Sequence, residues 1–541
     1  MTEVSPDQVT DLAVTDAVTD AVTDAVTEAV TDAGTALAYG EIDPTGNLAD
    51  LVTAAARRDP GRAALVDAVT GRSLTWAAVE TETNRQAARL IEAGVAPGDR
   101  VAVRMPAGSG YCLAVFGVLR AGGVLVPMNT DVPAAAVVEL LADCQAKVFV
   151  GDPVDGVDVP TLPAPEPDTE PAEPVAAHRG GEDVAVLCYT SGTSGRQRGV
   201  LLSHRALLAN LAQCAALRPA PVTATDRVLL SLPLSHAYGL GPGLLQVAAA
   251  GATAVLLPRF GVEDALTAIE THRVTTVVGV PPMYAAFAAV PDERLHTALS
   301  TVRLFTSGAA PLPPRVLAAI RRATGLAVFE GYGLTETGPV LTSTLASGYA
   351  KAGAVGRPLP GVRLRLVDTD GDPLPGPDPD DELDEFDDET GGTGLVCVAG
   401  PNLFSGYWPD GDHGPDADGW FRTGDIGYLD ADGDLHLVDR ANDLIIVNGF
   451  NVYPHEVELV LLQLTGVAEA AAVGVPDERS GEAVKVVVIQ RPGAGLTDRD
   501  VIEHCASRLA RFKVPTTVQF VDELPYSATG KVARAALRQL G

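Results

Sequence analysis

The run Val184-Ala-Val-Leu-Cys188 leads straight into Tyr189-Thr-Ser-Gly-Thr-Ser-Gly-Arg-Gln-Arg-Gly199, and this junction constrains the fold more than any other stretch. An unbroken apolar run of this length suits a strand buried on both faces. The segment after it holds three glycines, two serines, two threonines and two arginines. Glycines let the backbone approach an anion closely, and N–H groups and hydroxyls can then converge on phosphate oxygens. The spacing is neither GxxxxGK[ST] nor GxGxxG. On spacing alone, a phosphate cradle and a structural turn both remain open.

The chain around this junction has 541 residues, enough for two to four domains, and 46% are hydrophobic, so it can bury a sizeable core. No apolar run approaches the ~20 residues that span a bilayer. Acids follow closely on Met1-Thr-Glu-Val, unlike the basic start of a signal peptide, and a cytoplasmic location is the default expectation. The six cysteines (Cys112, Cys144, Cys188, Cys214, Cys397, Cys505) are scattered singly, which predicts buried thiols rather than a zinc site or disulfide framework. A formal charge of −31 excludes nonspecific nucleic-acid binding but not a small anionic substrate in a local basic pocket.

Residues 14–33 repeat a four-residue Val-Thr-Asp-Ala theme. A stripe at that spacing drifts round a helix axis, and Val, Thr and Asp are weak helix formers, so residues 1–46 read as a disordered acidic tail. From about Asn47 the pattern is globular. Leu74-Thr-Trp76 opens a helical spacing through Leu90, Arg100–Arg104 reads as a strand, Gly110–Leu119 as a helix, and Ala121–Met128 as a turn and strand. This alternation predicts an α/β fold with largely parallel sheets. Residues 152–182 read as a surface loop, and Asp378–Glu389, with nine carboxylates, as a solvated loop. After Asp439 the elements shorten, with strands near Ala470–Val475 and Val484–Ile489, which predicts a small C-terminal α+β domain.

The order of residues in Tyr189–Gly199 closely resembles the signature loop of the adenylate-forming (AMP-binding) enzymes, in their acyl-CoA synthetase branch. Further stretches match in the same order over roughly residues 47–541: Leu232-Pro-Leu-Ser-His-Ala-Tyr-Gly239, Gly331-Tyr-Gly-Leu-Thr-Glu-Thr337, Gly419-Trp-Phe-Arg-Thr-Gly-Asp-Ile-Gly427, Asp439-Arg440 and Pro525-Tyr-Ser-Ala-Thr-Gly-Lys531. The resemblance implies a large domain of stacked β-sheets and helices over 47–440 and a small mobile lid over 441–541. It implies ATP and Mg²⁺, with Thr190, Ser191, Gly192, Thr193, Ser194, Gly195 and Arg198 at the phosphates. Arg198 stands where the family usually has Lys, keeping the charge on a more rigid head. Gly331, Tyr332 and Gly333 belong to the second nucleotide motif; in it Thr335 would contact the α-phosphate and Glu336 would bind Mg²⁺. Asp425 and Arg440 would hold the ribose.

By the same resemblance, Lys531 would bridge the substrate carboxylate and the α-phosphate. His236 would lie beside the acyl pocket, although a packing histidine is its rival. The pivot falls at Asn442, where relatives carry Asp or Lys, and Gly449 matches the loop that approaches the coenzyme A thiol. Thr306-Ser-Gly-Ala-Ala-Pro-Leu312 and Gly279-Val-Pro-Pro-Met-Tyr284 look like the fatty acyl-CoA ligase pattern, with Gly308, Ala309 and Ala310 as one wall of the acyl pocket. The expected reaction is activation of a carboxylic acid, a medium- or long-chain fatty acid before an aryl acid, and its transfer to coenzyme A. Loading of a carrier protein's phosphopantetheine is the alternative, and an inactive adenylate-binding protein the third.

Overall fold

Thr75 shows how closely the local sequence dictates the first elements. Its hydroxyl accepts the Ala78 N–H at 3.2 Å and caps the helix Trp76–Glu92, whose Trp76, Val79, Thr83, Ala87 and Leu90 recur at helical spacing and are buried. The Trp76 indole donates to the Ala252 carbonyl at 3.1 Å, tying that helix to a distant strand turn. The computed structural model describes residues 42–167, 172–176, 179–191, 197–374, 392–440, 443–447, 450–477, 479–526 and 532–540. The acidic tail, the acidic insert Asp378–Glu389, Gly192, Thr193, Ser194, Gly195, Asn442, Gly449 and Lys531 lie outside the described residues, as do the side chains of Ser191 and Arg440.

Among the described residues, two sheets of largely parallel strands and a four-stranded antiparallel sheet form the large N-terminal part. One runs Thr161–Leu162, Val148–Gly151, Arg100–Arg104, Val124–Met128, Val184–Ser191 and Gln197–Ser203, parallel except for its last pair. The second has a parallel centre in the order Val328–Tyr332, Leu304–Ser307, Thr276–Gly279, Arg227–Leu230, Thr253–Leu256 and Ala63–Asp67. These strands are Val- and Leu-rich and buried, as strands covered on both faces must be. The antiparallel sheet joins Arg363–Val367, Gly394–Ala399, Trp420–Leu429 and Leu435–Arg440.

The glycine-rich stretch departs in one respect from a strand-to-helix phosphate loop. Val184–Ser191 pairs antiparallel with Gln197–Ser203, Thr190 opposite Arg198. Thr190 and Arg198 are carried on two paired strands rather than at a helix N-terminus.

Beyond Asp443 the chain builds its own core from Ile445, Val452, Val457, Leu461, Val484 and Val486. A five-stranded sheet is centred on the Val467–Asp477 and Gly481–Gln490 hairpin. Arg534, at the start of the last helix, pairs with Glu458 at 2.5 Å and lies 3.7 Å from Asp443, while Arg538 reaches Asp443 at 3.3 Å. The residue after the expected pivot is thus tied to the helix that follows the expected catalytic loop. No described helix is long and apolar enough to cross a membrane.

Candidate active site

The parallel strands Leu304–Ser307 and Val328–Tyr332 both release the chain at their carboxyl ends into one cavity of about 600 Å³. Open α/β sheets place ligand crevices at this edge. The cavity gathers Thr190 and Arg198 from the hairpin, His236 from the 232–239 stretch, Gly308 and Ala309 from the 306–312 stretch, Gly331 and Tyr332 from the end of their strand, and Gly333, Thr335 and Glu336 from the loop after it. Segments more than a hundred residues apart in sequence therefore share one space.

Specific contacts fix several of these residues. The Glu336 carboxylate accepts the Tyr407 hydroxyl at 2.7 Å, and the Arg198 guanidinium lies over the Tyr407 ring at 5.4 Å. Tyr407 thereby holds a cation and a carboxylate at the same wall. The loop carrying Thr335 and Glu336 is braced from behind by a buried polar network. Asn210 donates to the Val340 carbonyl at 2.7 Å and Asn402 to the Thr337 carbonyl at 2.7 Å. Gly333 is required by close approach, since a Cβ there would stand 1.8 Å from the Pro339 carbonyl oxygen. Asp425 is buried and accepts the Tyr332 hydroxyl at 2.6 Å, and its backbone lies in register with Arg440 across the antiparallel pair.

The wall at Gly308 is narrower than the sequence suggests. Gly308 and Ala309 line the cavity, but Ala310 is exposed and does not. Ala309 adopts φ +70°, and this left-handed residue turns the chain off the wall before Ala310. Gly308 packs against Tyr238, whose ring a Cβ would meet at 2.8 Å. The Cys188 and Cys214 thiols line the cavity, and burial pushes both up to about 12, so they stay neutral packing groups. All six cysteines are buried and free, as their scattered spacing predicts.

Two family models match this chain: "AMP-binding enzyme" over residues 52–408 and "AMP-binding enzyme C-terminal domain" over 456–531. The chain belongs to the AMP-binding enzymes. Within them it is an acid–thiol ligase of the acyl-CoA synthetase branch. It is 37% identical over 480 residues to a feruloyl-CoA synthase of an Amycolatopsis species, covering 87% of this chain and 94% of the relative. It is 32% identical over 554 residues to a long-chain-fatty-acid–CoA ligase of Yersinia pestis, covering 92% and 95%. Its fold matches the crystal structure of ATP-bound MatB from Rhodopseudomonas palustris with a TM-score of 0.82 at 32% identity, over 91% of this chain and 99% of that one.

In an AMP-binding enzyme a magnesium ion accompanies ATP, and the residues present fit one. Glu336 is a hard oxygen donor at the cavity wall, with Tyr407 fixing one of its carboxylate oxygens. A second acidic cluster, Asp430, Asp432 and Asp434, is not such a site. The Lys351 ammonium already fills it, at 2.6 Å from Asp430 and 2.7 Å from Asp432. This cluster braces the turn between two strands of the antiparallel sheet.

Sequence reasoning missed Tyr407, Tyr238 and Glu330. Tyr407 leaves only a faint trace, an aromatic pair between Gly406 and Pro409. Glu330 is buried behind the cavity and accepts the Leu312 N–H at 2.9 Å, pinning the end of the 306–312 stretch. Burial pushes its carboxyl up from 4.5 to about 7, and the Leu312 bond holds it back only in part. The folded state then binds more protons than the unfolded one across that interval. Stability is accordingly lost as pH rises from about 4.5 to about 7, and the loss is complete above it. Glu330→Gln keeps an acceptor for Leu312 and removes the cost of ionisation. It should melt like wild type near pH 4.5 and be more stable by about 3 kcal/mol at pH 8. An equal increment at both pH values in a thermal series would contradict this assignment.

Proposed function

We propose that this enzyme activates a carboxylic acid with MgATP to an acyl-adenylate and pyrophosphate, then transfers the acyl group to coenzyme A, releasing AMP. One observation carries the reading: Thr190, Arg198, Thr335, Glu336, His236 and Gly308 share a single cavity. The stretch Thr190 through Gly195, with Arg198, holds the β- and γ-phosphates. Thr335 bonds the α-phosphate, Glu336 holds Mg²⁺, and Gly331, Tyr332 and Gly333 shape the nucleotide wall. Bound Mg²⁺ supplies neutralisation of phosphate charge. Asp425, oriented by Tyr332, accepts the ribose hydroxyls with Arg440 beside it.

In the first step a carboxylate oxygen attacks the α-phosphorus and pyrophosphate departs. Lys531 stabilises the charge that develops between carboxylate and phosphate. In the second, the coenzyme A thiol loses its proton and its sulfur attacks the acyl carbon, and AMP departs with the oxygen that came from the acid. Asn442 is the pivot between the two steps and Gly449 the point of closest approach to the pantetheine. Residues 47–440 then form the adenylating part and 441–541 the lid. Water must be kept from the mixed anhydride in between, which is the reason for a lid.

For the acid itself, an aryl or other ring-bearing acid is the first reading, supported by the closed wall that Tyr238 makes against Gly308 and by likeness to a feruloyl-CoA synthase. A medium- or long-chain fatty acid is the second, supported by the relative named for long-chain fatty acids. The test incubates purified protein with ATP, Mg²⁺, coenzyme A and a panel of ring-bearing, fatty and amino acids, with mass-spectrometric detection of acyl-CoA and AMP. Acyl-CoA with equimolar AMP from a ring-bearing acid supports the reading. A parallel arm with a holo-carrier protein that is loaded while acyl-CoA never forms would replace coenzyme A as acceptor. Removing residues 1–36 should change kcat/KM less than about twofold, because that segment lacks a core-forming pattern; a tenfold fall would assign the tail a role.

A further inference from the structure

Residues 404–408 lie outside every stretch that the sequence singles out, yet they touch both nucleotide stretches. Their backbone runs antiparallel along the outer edge of Gln197–Ser203, with Tyr407 opposite Val200. The Ser405 N–H donates to the Leu201 carbonyl at 2.9 Å, that of Leu201 to the Gly406 carbonyl at 3.0 Å, and that of Trp408 to the Gly199 carbonyl at 2.8 Å. At the other end of the segment, the Phe404 N–H donates to the Glu336 carbonyl at 2.9 Å. Backbone bonds thus tie the strand that carries Arg198 to the loop that carries Glu336.

The Tyr407 side chain repeats that link inside the cavity. Its hydroxyl donates to Glu336 Oε1 at 2.7 Å, and the Arg198 guanidinium lies over its ring at 5.4 Å. The ring is itself held. Phe404 meets it edge-on, with centroids 5.0 Å apart at 73°, and the Tyr407 N–H donates to the Asp412 carbonyl at 3.0 Å.

The choice of partner has a consequence for binding. Arg198 and Glu336 carry opposite charges, and a close ion pair between them would have to be broken before phosphate and Mg²⁺ could take either. A neutral phenol holds both without neutralising either. Its ring engages the face of the guanidinium and leaves the in-plane N–H donors for phosphate oxygens. Its hydroxyl takes one carboxylate oxygen and leaves the other to a hard cation. Arg198 is exposed, and a long side chain ordered before its ligand arrives loses less freedom on binding.

We infer that Tyr407 is a positioning residue for the nucleotide: its ring orders the Arg198 guanidinium for phosphate, and its hydroxyl orders the Glu336 carboxylate for Mg²⁺. The two duties belong to different parts of one side chain, so substitution can separate them. The inference rests on the roles given above to Arg198 and Glu336.

The test is calorimetric titration of the full-length protein with ATP, once in EDTA and once with saturating Mg²⁺. The ratio of the two dissociation constants measures the help the metal gives. Tyr407→Phe keeps the ring and removes the hydroxyl. It should lower that ratio about threefold or more, with the metal-free Kd within about twofold of wild type. Tyr407→Leu removes ring and hydroxyl together and should also weaken metal-free binding about two- to fivefold, the worth of a ring face to an exposed cation. Arg198→Met should weaken metal-free binding in wild type and in Tyr407→Phe, and should cost less when added to Tyr407→Leu. A purely structural role would weaken both titrations alike and leave the ratio where it was, so loss of stability does not mimic the result. If Tyr407→Leu does not fold, the Tyr407→Phe ratio still decides. An unchanged or raised ratio in Tyr407→Phe, or an Arg198→Met loss as large in Tyr407→Leu as in wild type, would overturn the inference while leaving the proposed reaction intact. A wild-type ratio of one would take Mg²⁺ away from Glu336 and overturn it as well. No binding of ATP by wild type in either titration would overturn the reaction and this inference together.

Discussion

Lys531→Ala is expected to lower acyl-adenylate formation by about 10²–10³-fold while sparing transfer to coenzyme A from supplied acyl-adenylate. Lysine presents a compact charge on a flexible stem, and Lys531 precedes the helix Arg534–Gln539 by three positions in sequence. In the proposed mechanism its charge offsets the repulsion between an incoming carboxylate and a polyphosphate, which exists only in the first step. Once the anhydride is made, the thiol attack does not meet that charge density. Single-turnover assays begun from ATP and acid, and separately from synthetic acyl-adenylate and coenzyme A, resolve the two steps. Equal losses in both would remove Lys531 from this role and make the loop a general part of lid closure.

Gly333→Ala carries the second large effect. A methyl group at residue 333 would sit 1.8 Å from the Pro339 carbonyl oxygen, 2.9 Å from its carbon and 3.1 Å from the Leu341 nitrogen, all backbone atoms. No flexible side chain is there to yield, so the loop itself must move. Overpacking of this kind costs about 1–3 kcal/mol, and a displacement of about 1 Å at reacting groups costs roughly 10²-fold in rate. The loop carries Tyr332, Thr335 and Glu336 together, so kcat/KM should fall at least 10²-fold and the melting temperature should drop. Gly331→Ala is the control. Its added methyl would meet the Thr342 carbonyl oxygen at 3.2 Å, and a shift of a few tenths of an ångström relieves that contact. Gly331→Ala should therefore lower the melting temperature less than Gly333→Ala; equal falls would mean that the close approach at Gly333 is not what shapes the loop.

What the sequence made legible follows from where the information sits. Short, contiguous signals read well: the helix from Trp76 with its Thr75 cap, and the strands Arg100–Arg104 and Val124–Met128. Local order encodes these. The hairpin pairing of Thr190 with Arg198 was not legible, because glycine-rich stretches satisfy several turn geometries equally well. Tyr407 reaches Glu336 from 71 positions away, and only the packing of the antiparallel sheet beside the parallel one brings it there. Ala310 illustrates the converse: three small residues in a row suggest one wall, yet the positive φ at Ala309 takes the third out of it.

The proposed chemistry is tested most directly with an acid carrying ¹⁸O in both carboxylate oxygens, turned over with unlabelled ATP and coenzyme A. Attack of that carboxylate on the α-phosphorus and later departure of AMP require one labelled oxygen to appear in the phosphate of AMP, with none in pyrophosphate. Label in inorganic phosphate or pyrophosphate, or AMP formed without label, would contradict the adenylate route.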